Sequence, residues 1–120
     1  MITNLENNNF VNEVVDIIQS KKGFDITILN LKNLSAVADY FIICSADVDI
    51  HVKAIADEID KKLRKDGINC YNKEGYNALN WVLLDYFDVV VHVFKKDVRS
   101  FYNLEKLWGD AEVTEIPNAN

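Results

Sequence analysis

The segment VVVHVF, residues 89–94, constrains the fold more than any other part of the chain. Successive side chains of a β-strand point to opposite faces of the sheet. This run is apolar at its three odd-numbered positions, which share one face, and at Val90 and Phe94 on the other. A strand that is apolar on both faces is buried on both faces. The run therefore predicts a central strand with helices above and below the sheet.

Two segments show the helical spacing of apolar residues that such covering layers need. One spans residues 10–18, and the other spans residues 52–63, where charged residues occupy the remaining positions. A glycine follows each segment, as is typical of a helix end. Asp47 or Asp49 is expected to cap the N-terminus of the second helix.

The other elements complete an α/β architecture. Strands are expected over residues 25–31, 39–45 and 68–72. Residues 81–94 are typical of two strands joined by a short turn, and such a hairpin excludes an all-parallel sheet. A helical period follows over residues 96–104. The sequence thus predicts a single-domain α/β/α sandwich with a mixed sheet of about five strands.

Length and composition agree with one domain. The chain has 120 residues, 49% of them hydrophobic, with four Gly and one Pro. A chain of this size can bury roughly two-thirds of its unfolded surface. We expect the domain to occupy residues 10–112, between a flexible N-terminus at residues 1–9 and a flexible tail at residues 113–120.

The charge balance argues against nucleic acid as a direct partner. Lys and Arg number 13 against 19 Asp and Glu, which gives a net charge of −6, and no basic run exceeds two residues. Such a chain lacks the basic surface that binds the phosphate backbone of a nucleic acid. It is better suited to a basic protein, because complementary potentials steer association.

The same sequence indicates a cytoplasmic protein. The polar N-terminus MITNLENNNF does not resemble a signal peptide, and no apolar run approaches the roughly 20 residues of a membrane span. Cys44 and Cys70 are isolated in apolar surroundings, so we expect buried, reduced thiols.

Three groups could carry chemistry, and each has a simpler explanation. His92 would need a nearby nucleophile or carboxylate to act in catalysis, and a lone strand histidine is more often structural. Asp47 and Asp49, next to His51, resemble the D-x-D metal ligands of nucleotidyltransferases, although the chain has no Gly-Ser phosphate loop and helix capping would also explain them.

The third group lies at the hairpin turn. Asp85 and Asp88 could form a pair for acid–base catalysis, but turn aspartates commonly accept hydrogen bonds from nearby backbone N–H groups. The sequence has no phosphate-binding loop, dinucleotide fingerprint or zinc spacing. The evidence for an enzyme is therefore weak.

Aromatic residues crowd the C-terminal half of the chain and favour a binding role. Four of them, Trp81, Tyr86, Tyr102 and Trp108, stand beside polar residues or loops. Exposed Trp and Tyr mark protein interfaces, where each can contribute about 2 kcal/mol or more. The full set is Tyr71, Tyr76, Trp81, Tyr86, Phe87, Phe101, Tyr102 and Trp108.

Two long motifs resemble those of the ribosomal silencing factor (Iojap-related) family. Residues 38–63, ADYFIICSADVDIHVKAIADEIDKKL, are similar to its A-D-Y-F, small-residue turn and V-K-A-x-A-D-E pattern. Residues 81–112 resemble its W-V-L-L-D-Y-x-D-V-V-V-H-V-F segment, followed by F-Y-x-L-E-x-L-W-G-D-A. The resemblance covers roughly residues 10–112.

This resemblance implies a role without catalysis or cofactor. Members of the family bind large ribosomal subunit protein fourteen, block joining with the small subunit and reduce translation when nutrients are short. They often form homodimers when free, and their fold is distantly similar to that of nucleotidyltransferases. A docking surface is therefore expected to include or be supported by Trp81, Tyr86, Asp88, His92, Tyr102, Leu104, Glu105, Trp108 and Asp110.

The chain departs from the family pattern at two positions. Phe87 stands where a Gly is common in the turn, and Phe adopts a positive φ with difficulty. Ile50 stands where an Arg is common, so a charged contact there is lost. Two alternatives stay open: a metal-dependent, nucleotidyltransferase-like enzyme that uses Asp47 and Asp49, and a dimeric adaptor for another basic partner.

Overall fold

The computed structural model describes residues 9–118, which contain ten helices and strands. In chain order they are α1 (Asn9–Ser20), β1 (Phe24–Asn30), β2 (Tyr40–Ala46), α2 (Asp49–Lys65), β3 (Asn72–Glu74), β4 (Trp81–Asp85), β5 (Val89–Lys95), α3 (Lys96–Tyr102), α4 (Leu104–Leu107) and β6 (Glu112–Glu115).

The strands form one mixed sheet in the order β3-β4-β5-β2-β1-β6. Strands β2 and β5 are parallel, with Ile43 opposite His92, and the other pairs are antiparallel. The predicted hairpin is present, and Trp81 lies opposite Phe94. The predicted α/β class is confirmed, with six strands instead of about five.

Strand β5 is buried on both faces, as its composition requires. All residues from Val89 to Phe94 are buried. On one face of the sheet, called the first face, α1 and α2 pack against the strands through residues such as Ile18 and Ile55. On the opposite, second face lies a smaller cluster that includes Leu29, Ile43, Phe94 and Leu104. The two short helices α3 and α4 cover this cluster. The two layers of helices are thus unequal in size.

The start of α2 differs from the prediction. Its N-cap is Val48, which makes no side-chain capping bond, so neither Asp47 nor Asp49 is the N-cap. The backbone N–H of Asp47 instead donates to Nδ1 of His51 over 3.0 Å. Asp49 is the first helical residue, where its negative charge favours the positive end of the helix dipole.

The third strand begins later than the predicted residues 68–72. The N–H of Ile68 donates to the carbonyl of Leu63 over 2.9 Å, and Gly67, at φ +83°, donates to Arg64. These bonds close the C-terminus of α2 in a Schellman motif, so Ile68 cannot pair in the sheet. Strand pairing starts only at Asn72.

The predicted helix over residues 96–104 is two helices. Asn103 adopts a left-handed conformation at φ +47°, ends α3 and caps α4 by accepting a hydrogen bond from the N–H of Lys106. Asn tolerates this conformation and is a strong N-cap, which explains the break.

The prediction of a flexible tail from residue 113 is wrong as far as Asn118. Strand β6 pairs with β1, where Val113 lies opposite Leu29, and the N–H of buried Ile116 donates to the carbonyl of Ile26 over 2.9 Å. The expected flexible N-terminus falls, apart from Asn9 at the start of α1, outside the described residues.

Both cysteines are free thiols. Cys44 is buried as expected, and burial raises the pKa of its thiol to about 12. Cys70 is only partly buried. No helix within residues 9–118 is both long and apolar enough to cross a membrane.

Gly75 provides a direct test of the turn that leads into β4. It has φ +92°, and a Cβ atom there would overlap the carbonyl oxygen of Trp81. Gly67 also has a positive φ, +83°, but a Cβ atom there would have nothing within 4 Å. We expect Gly75→Ala to lower the free energy of unfolding by more than about 2 kcal/mol, and Gly67→Ala by only about 1 kcal/mol. Urea unfolding of the two variants measures the difference, and equal losses would contradict the steric contact.

Candidate protein-docking site

The second face of the sheet carries a partly exposed row of side chains along β4. Trp81, Leu83 and Asp85 alternate with the buried residues Val82 and Leu84. The buried pair packs toward the layer of α1 and α2, so the exposed row faces the side of α3 and α4. Because these two helices are short, they leave this row half-covered.

Trp81 is held in one orientation by its neighbours. Its indole N–H donates to Nδ1 of His92 over 3.0 Å. Its ring stacks on Phe94, with centroids 4.9 Å apart, and contacts Tyr102 at 4.6 Å. The strand register sets this arrangement, since Trp81 lies opposite Phe94 and His92 is two residues earlier on β5.

His92 is a buried, neutral support for that tryptophan. Its side chain is 2% exposed, and burial lowers its pKa to about 3. Because Nδ1 accepts the indole hydrogen bond, the neutral ring carries its proton on Nε2, a buried atom without a hydrogen-bond partner among the described residues. A ring in this setting offers neither an accessible base nor a proton donor at neutral pH.

The helices α3 and α4 add exposed apolar side chains beside Trp81. Phe101 is 82% exposed, Leu107 is 72% exposed and Tyr102 is 46% exposed. None of the residues of α3 is buried. Tyr102 joins this patch to Trp81 through their ring contact. The result is a largely aromatic face on the second side of the sheet, which we call the Trp81 face: Phe41, Trp81, Phe101, Tyr102, Leu107 and Trp108.

A partly buried arginine, Arg99, fixes the helices that present this face. The guanidinium of Arg99 pairs with Glu105 over 2.7 Å and donates to the hydroxyls of Thr27 and Ser45, each over 3.0 Å, and to the carbonyl of Asp25. These bonds join α3 and the start of α4 to β1 and β2. Glu105 therefore has a structural partner within the chain.

The structure separates the nine residues expected at the docking surface. Trp81 and Tyr102 lie on the Trp81 face, Trp108 packs edge-on against Phe41 at 6.0 Å, and His92 and buried Leu104 lie beneath. Asp110 is exposed just beyond α4, and Glu105 is bound to Arg99. Asp88 is exposed in the turn between β4 and β5.

Tyr86 does not belong to this face. It is buried against the helical layer on the opposite side of the sheet, where its ring meets Phe10 edge-on at 5.6 Å, and burial raises the pKa of its phenol. Tyr86 therefore lies away from the Trp81 face, and its expected role at the docking surface stays a prediction. The alternation of β4 carries this signal, because Tyr86 continues the even-numbered positions Val82 and Leu84, which face away from Trp81.

Phe41, Phe101 and Leu107 were missed at the sequence level. Phe101 has helical spacing relative to Leu104, which favours a buried position if one helix runs through both residues. The break at Asn103 turns the two side chains apart, so Leu104 is buried and Phe101 is exposed.

The candidate metal ligands do not form a metal site: Nδ1 of His51 lies 3.9 Å from the carboxylate of Asp47, but this ring nitrogen accepts the N–H of Asp47. The carboxylate of Asp47 lies 3.7 Å from Nζ of Lys96, and Nε2 of His51 lies 2.8 Å from the carbonyl of Lys21. Within residues 9–118 there is no group of three His, Cys, Asp or Glu side chains that could hold a metal ion. At the hairpin turn, Asp85 accepts a hydrogen bond from the N–H of Phe87 over 2.8 Å, as expected of a turn aspartate.

Comparison with known protein families identifies the chain. A family model described as "Ribosomal silencing factor during starvation" matches residues 4–120. The chain belongs to the ribosomal silencing factor family. This confirms the family that the two sequence motifs indicated.

Individual relatives agree with the family assignment. The ribosomal silencing factor of Bacillus subtilis is 50% identical over 80% of this chain and 81% of its own length. That of Halalkalibacterium halodurans is 44% identical over 93% of this chain and 96% of its own. A crystal structure of a Chromobacterium violaceum protein is similar with a TM-score of 0.82 and 31% identity, over 93% of this chain and 94% of that chain.

The buried state of His92 predicts a specific pH dependence in this silencing factor. Its pKa is about 3 in the folded chain and ordinarily near 6.5. Below pH 6.5 the unfolded chain binds a proton that the folded chain does not, so stability falls as the pH decreases toward 3. Between pH 7 and pH 5 this one group should cost about 2 kcal/mol.

Denaturant unfolding of wild type and His92→Asn at both pH values isolates this contribution. An asparagine can accept the indole hydrogen bond but does not titrate, and all other ionisable groups are shared by the two proteins. We expect the wild type to lose about 2 kcal/mol more than the variant on acidification. Equal losses would show that His92 is not buried in the neutral form.

Proposed function

We propose that the chain binds the large ribosomal subunit through large-subunit protein fourteen, blocks joining with the small subunit and lowers translation when nutrients are short. The proposal rests on membership of the ribosomal silencing factor family, whose members are described as acting during starvation. The observation in the fold that supports it best is the exposed, rigidly held Trp81 face.

The chemistry of that face suits a protein partner. Trp81, Tyr102 and Phe101 offer large ring surfaces with few rotatable bonds, which lose little entropy on binding. The bonds of Trp81 to His92 and of Arg99 to Glu105 hold the rings in place before a partner arrives. Such preorganisation lowers the free-energy cost of association.

The charge of the chain suits a basic partner. With a net charge of −6, the chain is attracted to a positively charged ribosomal protein and repelled by RNA phosphates. A 13.8 kDa protein seated on the subunit face that meets the other subunit would prevent their contact by its volume alone. This mode of action needs no cofactor and no catalytic residue.

The same exposed rings supply apolar surface for a homodimer when ribosomes are absent. Phe101 and Leu107 are the most exposed members of the Trp81 face, and monomeric proteins rarely leave large contiguous apolar patches uncovered. We place the protein in the cytoplasm, where ribosomes are its partner.

Replacement of Tyr102 tests the Trp81 face directly. We expect Tyr102→Ala to weaken binding to purified large subunits at least about tenfold, because it removes an exposed ring at the centre of the face. Val37→Ala is the matched control, since Val37 is 78% exposed and lies in the loop after β1. Co-sedimentation over a range of protein concentrations gives both affinities.

The outcome is informative only for folded variants, which thermal unfolding verifies. Trp81→Ala should have an effect at least as large as that of Tyr102→Ala, since Trp81 makes contacts with His92, Phe94 and Tyr102. If both variants bind as tightly as the wild type, the interface lies elsewhere on the chain.

A further inference from the structure

The turn between β4 and β5 carries an exposed pair of aromatic rings. Phe87, at the tip, is 61% exposed, and Tyr71, in the segment before β3, is 67% exposed. Their ring centroids are 4.3 Å apart with an interplanar angle of 40°. The N–H of Tyr71 donates to the carbonyl of Asp85 over 2.7 Å, which fixes the segment beside the hairpin.

Phe87 holds this position at the expense of backbone strain. Its φ is +70°, a conformation that a glycine adopts freely and a bulky residue does not. The ring gains little burial in return, because most of it faces solvent. Strained backbone that persists at an exposed position is typical of functional sites.

The ring pair lies at the opposite end of the hairpin from Trp81. Trp81, Leu83 and Asp85 follow one another on one face of β4, and Phe87 stands in the turn two residues after Asp85. At about 3.3 Å per residue, Phe87 is roughly 20 Å from Trp81 along the hairpin. A protein partner of ordinary size can cover both ends of such a row, since each side of a standard interface buries about 800 Å².

The charges around the rings are predominantly acidic. Asp85 and Asp88 flank the tip, and the Asp85 carboxylate accepts a hydrogen bond from the N–H of Phe87. Of the nearby lysines, Lys73 on β3 is paired with Asp60 over 2.8 Å, and Lys32 lies over the ring of Tyr40. Aromatic faces next to carboxylates are the surroundings in which a protein binds an arginine or lysine side chain.

We propose that Tyr71 and Phe87 form a second aromatic anchor, which receives an arginine or lysine side chain of the basic ribosomal protein bound at the Trp81 face. This inference rests on the proposed function and extends it from one end of β4 to the other. The partner would then contact the chain at two anchors, with Leu83 and Asp85 between them.

Substitution of Phe87 separates recognition of a cation from a simple apolar contact. Phe87→Leu keeps an apolar side chain and the same backbone strain but removes the ring, whereas Phe87→Trp keeps a ring. We expect Phe87→Leu to weaken co-sedimentation with purified large subunits about fivefold and Phe87→Trp to retain it. Ile50→Ala is the control, because Ile50 is 77% exposed at the start of α2, away from the hairpin.

A second variant distinguishes a loss of binding from a loss of folding. Phe87→Gly removes the ring and also relieves the positive φ, so it should unfold at the same temperature as the wild type or higher, yet bind about fivefold more weakly. If Phe87→Leu and Phe87→Gly both bind within twofold of the wild type, there is no anchor at the tip. If only Phe87→Gly loses affinity, the contact is apolar and the proposed cationic ligand is wrong.

The result also distinguishes this inference from the proposed function. If the wild type itself does not co-sediment with large subunits, ribosome binding and the second anchor both fail. If the wild type binds and loses affinity through Tyr102→Ala but not through Phe87→Leu, the Trp81 face stands and the second anchor alone is overturned.

Discussion

The two-sided burial of β5 determines how the rest of the chain is arranged. Residues from Val89 to Phe94 are all buried, so both faces of the sheet need cover. The long helices α1 and α2 pack on one face, whereas the short helices α3 and α4 cover less of the other. The part of the second face that stays half-covered, together with the exposed side chains of α3 and α4, forms the Trp81 face. The same constraint that makes the strand central therefore leaves an aromatic surface available to a partner.

The histidine within that strand supports the surface through its hydrogen bond with Trp81. An imidazole buried among apolar groups is neutral, because a charge there would lose its hydration. In its neutral form Nδ1 can accept the indole N–H of Trp81, and this bond orients the largest ring of the face. The Nε2 atom has no partner among the described residues, which costs roughly 1–3 kcal/mol. Stability is thus lower than it could be, while the position of Trp81 is better defined.

The sequence predicted features that follow from strong periodic patterns. These include the central strand, the hairpin over residues 81–94, the two helices on the first face and the α/β class. Features that depend on single residues or on pairing partners were not predictable. Strand β6 has a single apolar residue in its sequence EVTE, so its pattern does not predict a strand. The segment becomes a strand by pairing with the edge of β1. The break at Asn103, which exposes Phe101, depends on the conformation of a single residue. The aromatic content of the sequence does not show which rings are exposed.

We propose that the exposed Trp81 face lets this member of the silencing factor family hold the large subunit apart from the small one. Gradient sedimentation of purified large and small subunits, mixed with the chain under conditions that favour joining, tests it most directly. We expect that separate subunits accumulate, that the chain travels with the large subunit, and that Tyr102→Ala restores joining. Joined particles in the presence of excess wild-type chain, with the chain left at the top of the gradient, would contradict it.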